Sequence, residues 1–358
     1  MFLNNLWFVI IAFLWVGYFV LEGFDFGVGA LLRIVGKDEK GRRVLINTIG
    51  PIWDGNEVWV VSAGAATFAA FPEWYASMFS GFYLALLLIL VCLIVRGVAF
   101  EYRGKGHSDQ WRKRWDWSIL ITSWVLALLW GVAFGNIVRG VQLDVDHEYV
   151  GNFLDLLNPF ALLTGLCTLA LFLAHGAIYL ALKTTEEVRA RARSFAVSSG
   201  AVTAVLMAVA VGWQYSIRGT TWSLTSGVLG VVLLIGAVLI TRTGRDLLAF
   251  GASTLSVSFF VSGWFLALYP NVFPSTIDPA FSLTIENAAS TPYTLTLMSW
   301  IALVFSPVFL GYQAWSYWVF RKRISVKHIP DSPTELKHHM DDTDQDGTVG
   351  ISSARSKK

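Results

Sequence analysis

Apolar residues in this chain come in long runs parted by short polar segments. Crossing about 30 Å of hydrocarbon as a helix takes about 20 mostly apolar residues. Nine runs meet that length: 6–35, 49–71, 76–100, 117–138, 159–182, 194–217, 222–241, 247–269 and 295–320. None shows the ten-residue alternation of a membrane barrel, so helices are the available spanning structure. The pattern predicts an all-α, polytopic transmembrane helix bundle of nine helices over residues 1–325. From 326 to 358 hardly any residue is apolar enough to bury, which predicts a disordered cytoplasmic tail.

Basic residues alternate between the two sides of the predicted membrane. Lys37, Lys40, Arg42 and Arg43 follow the first run; Arg103, Lys105, Arg112, Lys113 and Arg114 follow the third. Lys183, Arg189, Arg191 and Arg193 follow the fifth, Arg242 and Arg245 the seventh, and Arg321, Lys322 and Arg323 the ninth. The opposite loops hold only Arg139 and Arg218, and are longer and acidic, with Asp144, Asp146, Glu148, Asp155, Asp278 and Glu286. The positive-inside rule then puts the N-terminus outside and the C-terminus in the cytoplasm, as an odd number of spans requires. The first run has no preceding Lys or Arg, exceeds a signal-peptide core and lacks a small-residue cleavage site, so it reads as a retained helix.

Composition agrees: 55% of the residues are hydrophobic and 15% charged, where a soluble domain carries about 25% charged. The net charge of +2 gives no general attraction to nucleic acid. Cys92 and Cys167 both fall within apolar runs without a CxxC partner, and read as buried thiols rather than a disulfide. In the tail, residues 342–347 copy the first half of an EF-hand loop. Ser353 stands at the closing position where glutamate is needed, so a solvated segment is the better reading. His338 and His339 read the same way.

Polar groups inside the runs carry the chemistry. The second run opens on Pro51-Ile52-Trp53-Asp54-Gly55-Asn56-Glu57-Val58-Trp59, and the first contains Glu22-Gly23-Phe24-Asp25-Phe26-Gly27-Val28-Gly29. An ionisable group in hydrocarbon costs roughly 2.5–3.5 kcal/mol even on the lenient insertion scale, so these side chains should face protein or water. Asp54 and Glu57, three apart, share a helix face. At about 1.5 Å per residue, Asp25 lies roughly 15 Å below the cytoplasmic surface, with Glu22 deeper. The third run brings Arg96 and Glu101 to a comparable level. Together the five carboxylates and Arg96 form a ladder from the cytoplasm to mid-membrane.

One reading of the ladder is a proton or ion path, carried by Asp54 and Glu101 with Glu57, Asp25, Glu22 and Arg96 in support. The other is a structural ion pair of Arg96 with Asp54 or Glu101, with Asp54 also favouring the helix start. Gly23 and Gly27, four apart, allow close helix contact. Asn56 and Asn136 read as interhelical hydrogen-bond donors, and Trp53 and Trp59 as packing residues. His175 is the sole histidine inside a run. It reads as a hydrogen-bonded core residue before a haem ligand, because no second intramembrane histidine accompanies it.

These residues carry a resemblance. Segments 23–29 (GFDFGVG), 43–59 (RVLINTIGPIWDGNEVW), 71–75 (FPEWY), 80–83 (SGFY), 96–103 (RGVAFEYR), 158–163 (NPFALL) and 175–177 (HGA) are similar to subunit II of cytochrome bd-type quinol oxidases. The match runs to about residue 320, by motif in the first half and by hydropathy after about Arg189. It implies a multi-pass protein of the bacterial cell membrane, paired in a heterodimer with a similarly folded subunit I. That partner would carry two b-type haems, one d-type haem and the quinol site. The complex would oxidise quinol and reduce oxygen to water with cytoplasmic protons, and leaves room for small accessory membrane subunits. This chain would hold no haem firmly and contribute to proton supply; the matching positions are Asp54 and Glu101. Two other classes compete. A secondary transporter should show interrupted helices in two corresponding halves, whereas the acidic runs here are all N-terminal. A purely structural membrane scaffold would reduce the ladder to salt bridges.

Overall fold

The computed structural model describes residues 1–106 and 108–329. The helices are α1 (Phe2–Ala30), α2 (Leu32–Val35), α3 (Glu39–Ile49), α4 (Trp53–Ala70), α5 (Pro72–Gly81) and α6 (Tyr83–Arg103). They continue as α7 (Asp109–Arg139), α8 (Pro159–Lys183), α9 (Glu186–Arg218), α10 (Thr221–Thr243), α11 (Asp246–Leu268) and α12 (Pro292–Val319). A two-stranded antiparallel pair, β1 (Asn271–Phe273) and β2 (Leu283–Thr284), lies in the loop before α12. The chain is thus an all-α helix bundle of the polytopic membrane class.

Among the described residues, eight helices are long and apolar enough to cross a membrane: α1, α6, α7, α8, α9, α10, α11 and α12. The remaining predicted span, 49–71, differs in a way that matters for function. Its helix α4 starts only at Trp53, has 18 residues, and opens with Asp54, Asn56 and Glu57. The preceding α3 was not foreseen. Asp38 caps its start by accepting from the Gly41 N–H at 2.6 Å. Its apolar side buries Val44, Leu45 and Ile49. Glu39, at its start, pairs with Arg103 at the end of α6 (2.9 Å). Trp53, just past its end, packs on Phe100 (ring centroids 5.4 Å) and faces Gly97. Arg103 lies six residues, about 9 Å, from Gly97 along the helix. Hence α3 leans into the bundle and α4 begins inside it. The third predicted span also starts late, because Pro72 sits at the first position of α5 and α6 starts at Tyr83 rather than residue 76.

Helix α1 is the axis of the packing. Every residue from Glu22 to Ala30 is buried, so this stretch has protein on all sides. Close approach explains the glycines: a Cβ on Gly27 would lie 2.0 Å from the Phe172 carbonyl oxygen, and one on Gly176 2.6 Å from Gly27 C. Only residues without a side chain fit that α1–α8 crossing. Asn136, expected to bond between helices, ties α7 to the segment ahead of α8, donating to Leu156 O at 2.7 Å and accepting from Asn158 at 2.8 Å. Cys92 and Cys167 are buried and unbridged.

Ion pairs close the end of the bundle that carries the basic loops. Arg103 binds Asp116 (2.6 Å), which also pairs with Arg42 (2.9 Å). A second knot forms on Asp246, whose fully buried carboxylate meets Arg189 (2.7 Å) and Arg323 (2.9 Å). Past α12 the chain turns under α8: Lys183 donates to Phe320 O, Ile324 N donates to Lys183 O at 2.8 Å, and Ile329 is buried. Val326–His328, the first residues of the predicted tail, form a 3-10 turn. The EF-hand-like segment, His338 and His339 lie outside the described residues.

Candidate functional site

Three helices bring ionisable side chains together near the axis. Helix α1 supplies Glu22 and Asp25 from one face, α4 supplies Asn56 and Glu57 from its first turns, and α6 supplies Arg96 from mid-helix. Glu22, Asp25, Asn56 and Arg96 are all 0% exposed. Arg96 Nη1 lies 3.2 Å from Glu22 Oε2 and 3.3 Å from Glu57 Oε1. Its guanidinium also faces the rings of Phe26 (4.8 Å) and Phe100 (5.1 Å). Aromatic faces are attractive to a cation and help to hold it away from water. Glu57 keeps 24% of its side chain exposed, so it is the member of the triad that reaches the chain's surface.

Asp25 sits beside this triad. Its Oδ2 accepts from Asn56 Nδ2 at 2.6 Å. The same asparagine's Oδ1 accepts from Gln313 Nε2 and from the Tyr317 hydroxyl, each at 2.9 Å. Several polar atoms here are buried without a hydrogen-bond partner among the described residues: Glu22 Oε1, Asp25 Oδ1, Arg96 Nε and Nη2, and the Tyr18 hydroxyl. A structural ion pair normally closes such positions, since an open buried group costs about 1–3 kcal/mol. Two carboxylates share one guanidinium, and a third, Asp25, stands beside them on Asn56.

The ladder expected from sequence is therefore rearranged. Arg96 does not pair with Asp54 or Glu101; it pairs with Glu22 and Glu57, because α4 starts inside the bundle and turns Glu57 towards α6. Asp54 is exposed, with Oδ1 accepting from the Gly55 N–H at 2.8 Å in the first turn of α4. That agrees with the attraction of carboxylates to helix starts. Glu101 is exposed in the last turn of α6. Asp54 and Glu101 are thus at the chain's surface, Glu57 is partly exposed, and Glu22 and Asp25 form the interior of the cluster.

Sequence reasoning passed over Gln313 and Tyr317. A lone amide in the run 295–320 was the available signal, since an intramembrane amide needs a partner. His175 is fully buried, with Nδ1 2.8 Å from Ser253 Oγ and Nε2 3.1 Å from Val20 O. A carbonyl only accepts, so Nε2 carries the proton. The ring stacks on Phe250 with an interplanar angle of 4°. Trp59 packs on Phe309 and fills the space beside Gly17, as a packing residue should.

Comparison with known proteins bears directly on this arrangement. The profile of the family described as "Cytochrome bd terminal oxidase subunit II" matches residues 3–320. The chain is 40% identical over 330 residues to "Cytochrome bd ubiquinol oxidase subunit 2" of Bacillus subtilis (strain 168), covering 91% of this chain and 98% of that one. It is 38% identical over 367 residues to "Cytochrome bd-I ubiquinol oxidase subunit 2" of Escherichia coli (strain K12), covering 91% and 96%. In fold it resembles a chain of the bd oxidase from Geobacillus thermodenitrificans, with a TM-score of 0.73 at 15% identity, over 89% of this chain and 97% of that one. With a family match over nearly all its membrane part, the chain belongs to the cytochrome bd terminal oxidase subunit II family.

Proposed function

We propose that this chain, as subunit II of a cytochrome bd-type terminal oxidase, conducts protons from the cytoplasm through the Glu22, Asp25, Glu57 and Arg96 cluster. The complex is a quinol:oxygen oxidoreductase of the bacterial plasma membrane, with its catalytic centre in the partner subunit. A transporter or bare scaffold is disfavoured by that family membership. The observation that carries the proton reading is the geometry of two carboxylates on one buried guanidinium with Asp25 beside them, and open hydrogen-bonding positions on both sides.

In this reading Asp54 and Glu101 collect protons and the interior carboxylates pass them on. The basic loops supply the orientation: N-terminus outside, cytoplasm at the end where Arg103 and Asp246 sit. α4, with α3 leaning in before it, counts as the ninth membrane element. Asp54 is exposed on the isolated chain at about the level of Trp53 and Gly97. At that depth lipid would be costly, so protein or water covers it. The apolar stretches of α12 and α6 are 6% and 22% buried, against 39–72% for the other apolar helices. This supports docking of subunit I on the α4–α6–α12 face, which would place Asp54, Glu57 and Glu101 beside the partner.

The haems fit this chain poorly. His175 is the histidine inside the bundle, and both of its ring nitrogens already have protein partners. The two b-type haems and one d-type haem are assigned to subunit I. His175→Ala complex, once assembled, should retain all haem bands in a reduced-minus-oxidised spectrum. Disappearance of one band from intact complex would make His175 a ligand.

Asp54→Asn and Glu101→Gln test the proposal in the two-subunit complex. Asp54→Asn should slow steady-state quinol oxidation about tenfold or more, short of the roughly 10²- to 10⁴-fold contribution of a positioned proton-transfer group because exposed neighbours substitute in part. Glu101→Gln should be milder, because neighbouring surface groups substitute at an entrance. Parental turnover in both variants across pH would leave the carboxylates as structural groups.

A further inference from the structure

Helix α12 touches the acidic cluster through two side chains only indirectly related to it, and they act on one amide. Asn56 has four hydrogen-bonding positions: two lone pairs on Oδ1 and two N–H bonds on Nδ2. Gln313 Nε2 and the Tyr317 hydroxyl both donate to Oδ1, at 2.9 Å each. With both lone pairs of Oδ1 taken, the amide presents N–H to Asp25; reversing it would require the Gln313 amide to turn as well and the Tyr317 hydroxyl to accept instead of donate. The structure has that bond, Nδ2 to Asp25 Oδ2 at 2.6 Å. An N–H donor favours the carboxylate over the acid, because only the carboxylate accepts at every oxygen. The reversed amide would offer Asp25 an acceptor and favour the acid. Asn56 is 0% exposed, so solvent does not decide which way it points.

We infer that Gln313 and Tyr317 are positioning residues for proton transfer: they lock the Asn56 amide with its N–H towards Asp25 and so ease the release of a proton from Asp25. The inference rests on the proton-path reading and adds to it the device that sets one carboxylate's readiness to let go. The device belongs to α12. That helix is otherwise lightly packed and is tied down at its ends, by Trp7 Nε1 donating to Leu295 O (3.2 Å) and by Lys183 donating to Phe320 O. Other charged or titratable groups within electrostatic reach of Asp25 are Glu22 on its own helix, Asp54 and Glu57 from α4, Arg96 from α6, Tyr179 from α8 and Tyr317 itself. Tyr179 is engaged elsewhere, its hydroxyl donating to Thr48 O at 2.8 Å.

The test uses the assembled two-subunit complex with Tyr317→Phe, Gln313→Leu, the double variant and Asp25→Asn. Steady-state quinol oxidation is measured against pH, and infrared difference spectra follow the carboxylic C=O stretch that Asp25→Asn removes. The double variant should lower the plateau rate several-fold, move the alkaline limb of the profile up by about one pH unit, the size expected for one hydrogen bond to a charged group, and shift the Asp25 band. Tyr317→Phe should give the same changes at about half size; if the double variant fails to assemble, this single variant decides. A parental pH profile and an unmoved band, in complex where Asp25→Asn is slow, would overturn the inference and leave the proton path standing. Parental turnover in Asp25→Asn would instead remove the proton path, and the inference with it.

Discussion

Replacing Arg96 with leucine is expected to leave most of the two-subunit complex unassembled. The guanidinium is 0% exposed and serves two carboxylates, Glu22 at 3.2 Å and Glu57 at 3.3 Å. Removing one member of a buried ion pair typically costs about 3–5 kcal/mol, because the partner keeps its desolvation penalty and loses its compensation. Stability of a whole domain is only about 5–15 kcal/mol. Here the loss is compounded, since the two abandoned carboxylates and Asp25 would then repel one another across low dielectric. Yield of haem-loaded complex from membranes, followed by its thermal midpoint, measures the effect. Adding Glu22→Gln should restore a substantial part of the yield, because the pair and its burden are then removed together. Equal loss in the single and double variants would mean that Arg96 acts through packing on Phe26 and Phe100.

The second large effect is on rate. Asp25→Asn keeps size and hydrogen-bonding capacity, so the complex should assemble with its haems. It removes the one carboxylate in contact with Asn56, and a relay through it would stop. A proton-transfer group in position contributes about 10²- to 10⁴-fold, so steady-state quinol oxidation should fall by roughly two orders of magnitude. The contrast with Asp54→Asn is part of the prediction. Asp54 is exposed and has neighbours that can stand in for it; Asp25 is enclosed on every side. An Asp25→Asn effect smaller than that of Asp54→Asn would place the route along the chain's surface, outside the cluster.

Much of this arrangement was legible in the residues. Runs of apolar residues located the spanning helices because hydrocarbon leaves no other way to satisfy a backbone. Glu22, Asp25, Glu57 and Arg96 stood out because a charge in such a run is too costly to be incidental. Their pairing was not legible. It depends on where α4 begins, and that is set by α3, an amphipathic helix whose docking uses Glu39, Arg42 and Asp116 in tertiary ion pairs. No local pattern shows that α3 leans into the bundle. Gln313 and Tyr317 were missed for a related reason. They are 257 and 261 positions from Asn56, and only the packing of α12 against α4 makes them its partners.

Proton uptake during a single turnover tests the central claim most directly. Fully reduced complex is mixed rapidly with oxygen in weakly buffered medium containing a pH-indicating dye. Oxygen binding is followed at the haem bands and proton disappearance at the dye. For Asp25→Asn the account predicts oxygen binding at the parental rate, with proton uptake and the later haem oxidation both slowed, by the same factor. Proton uptake at the parental rate in that variant would contradict it.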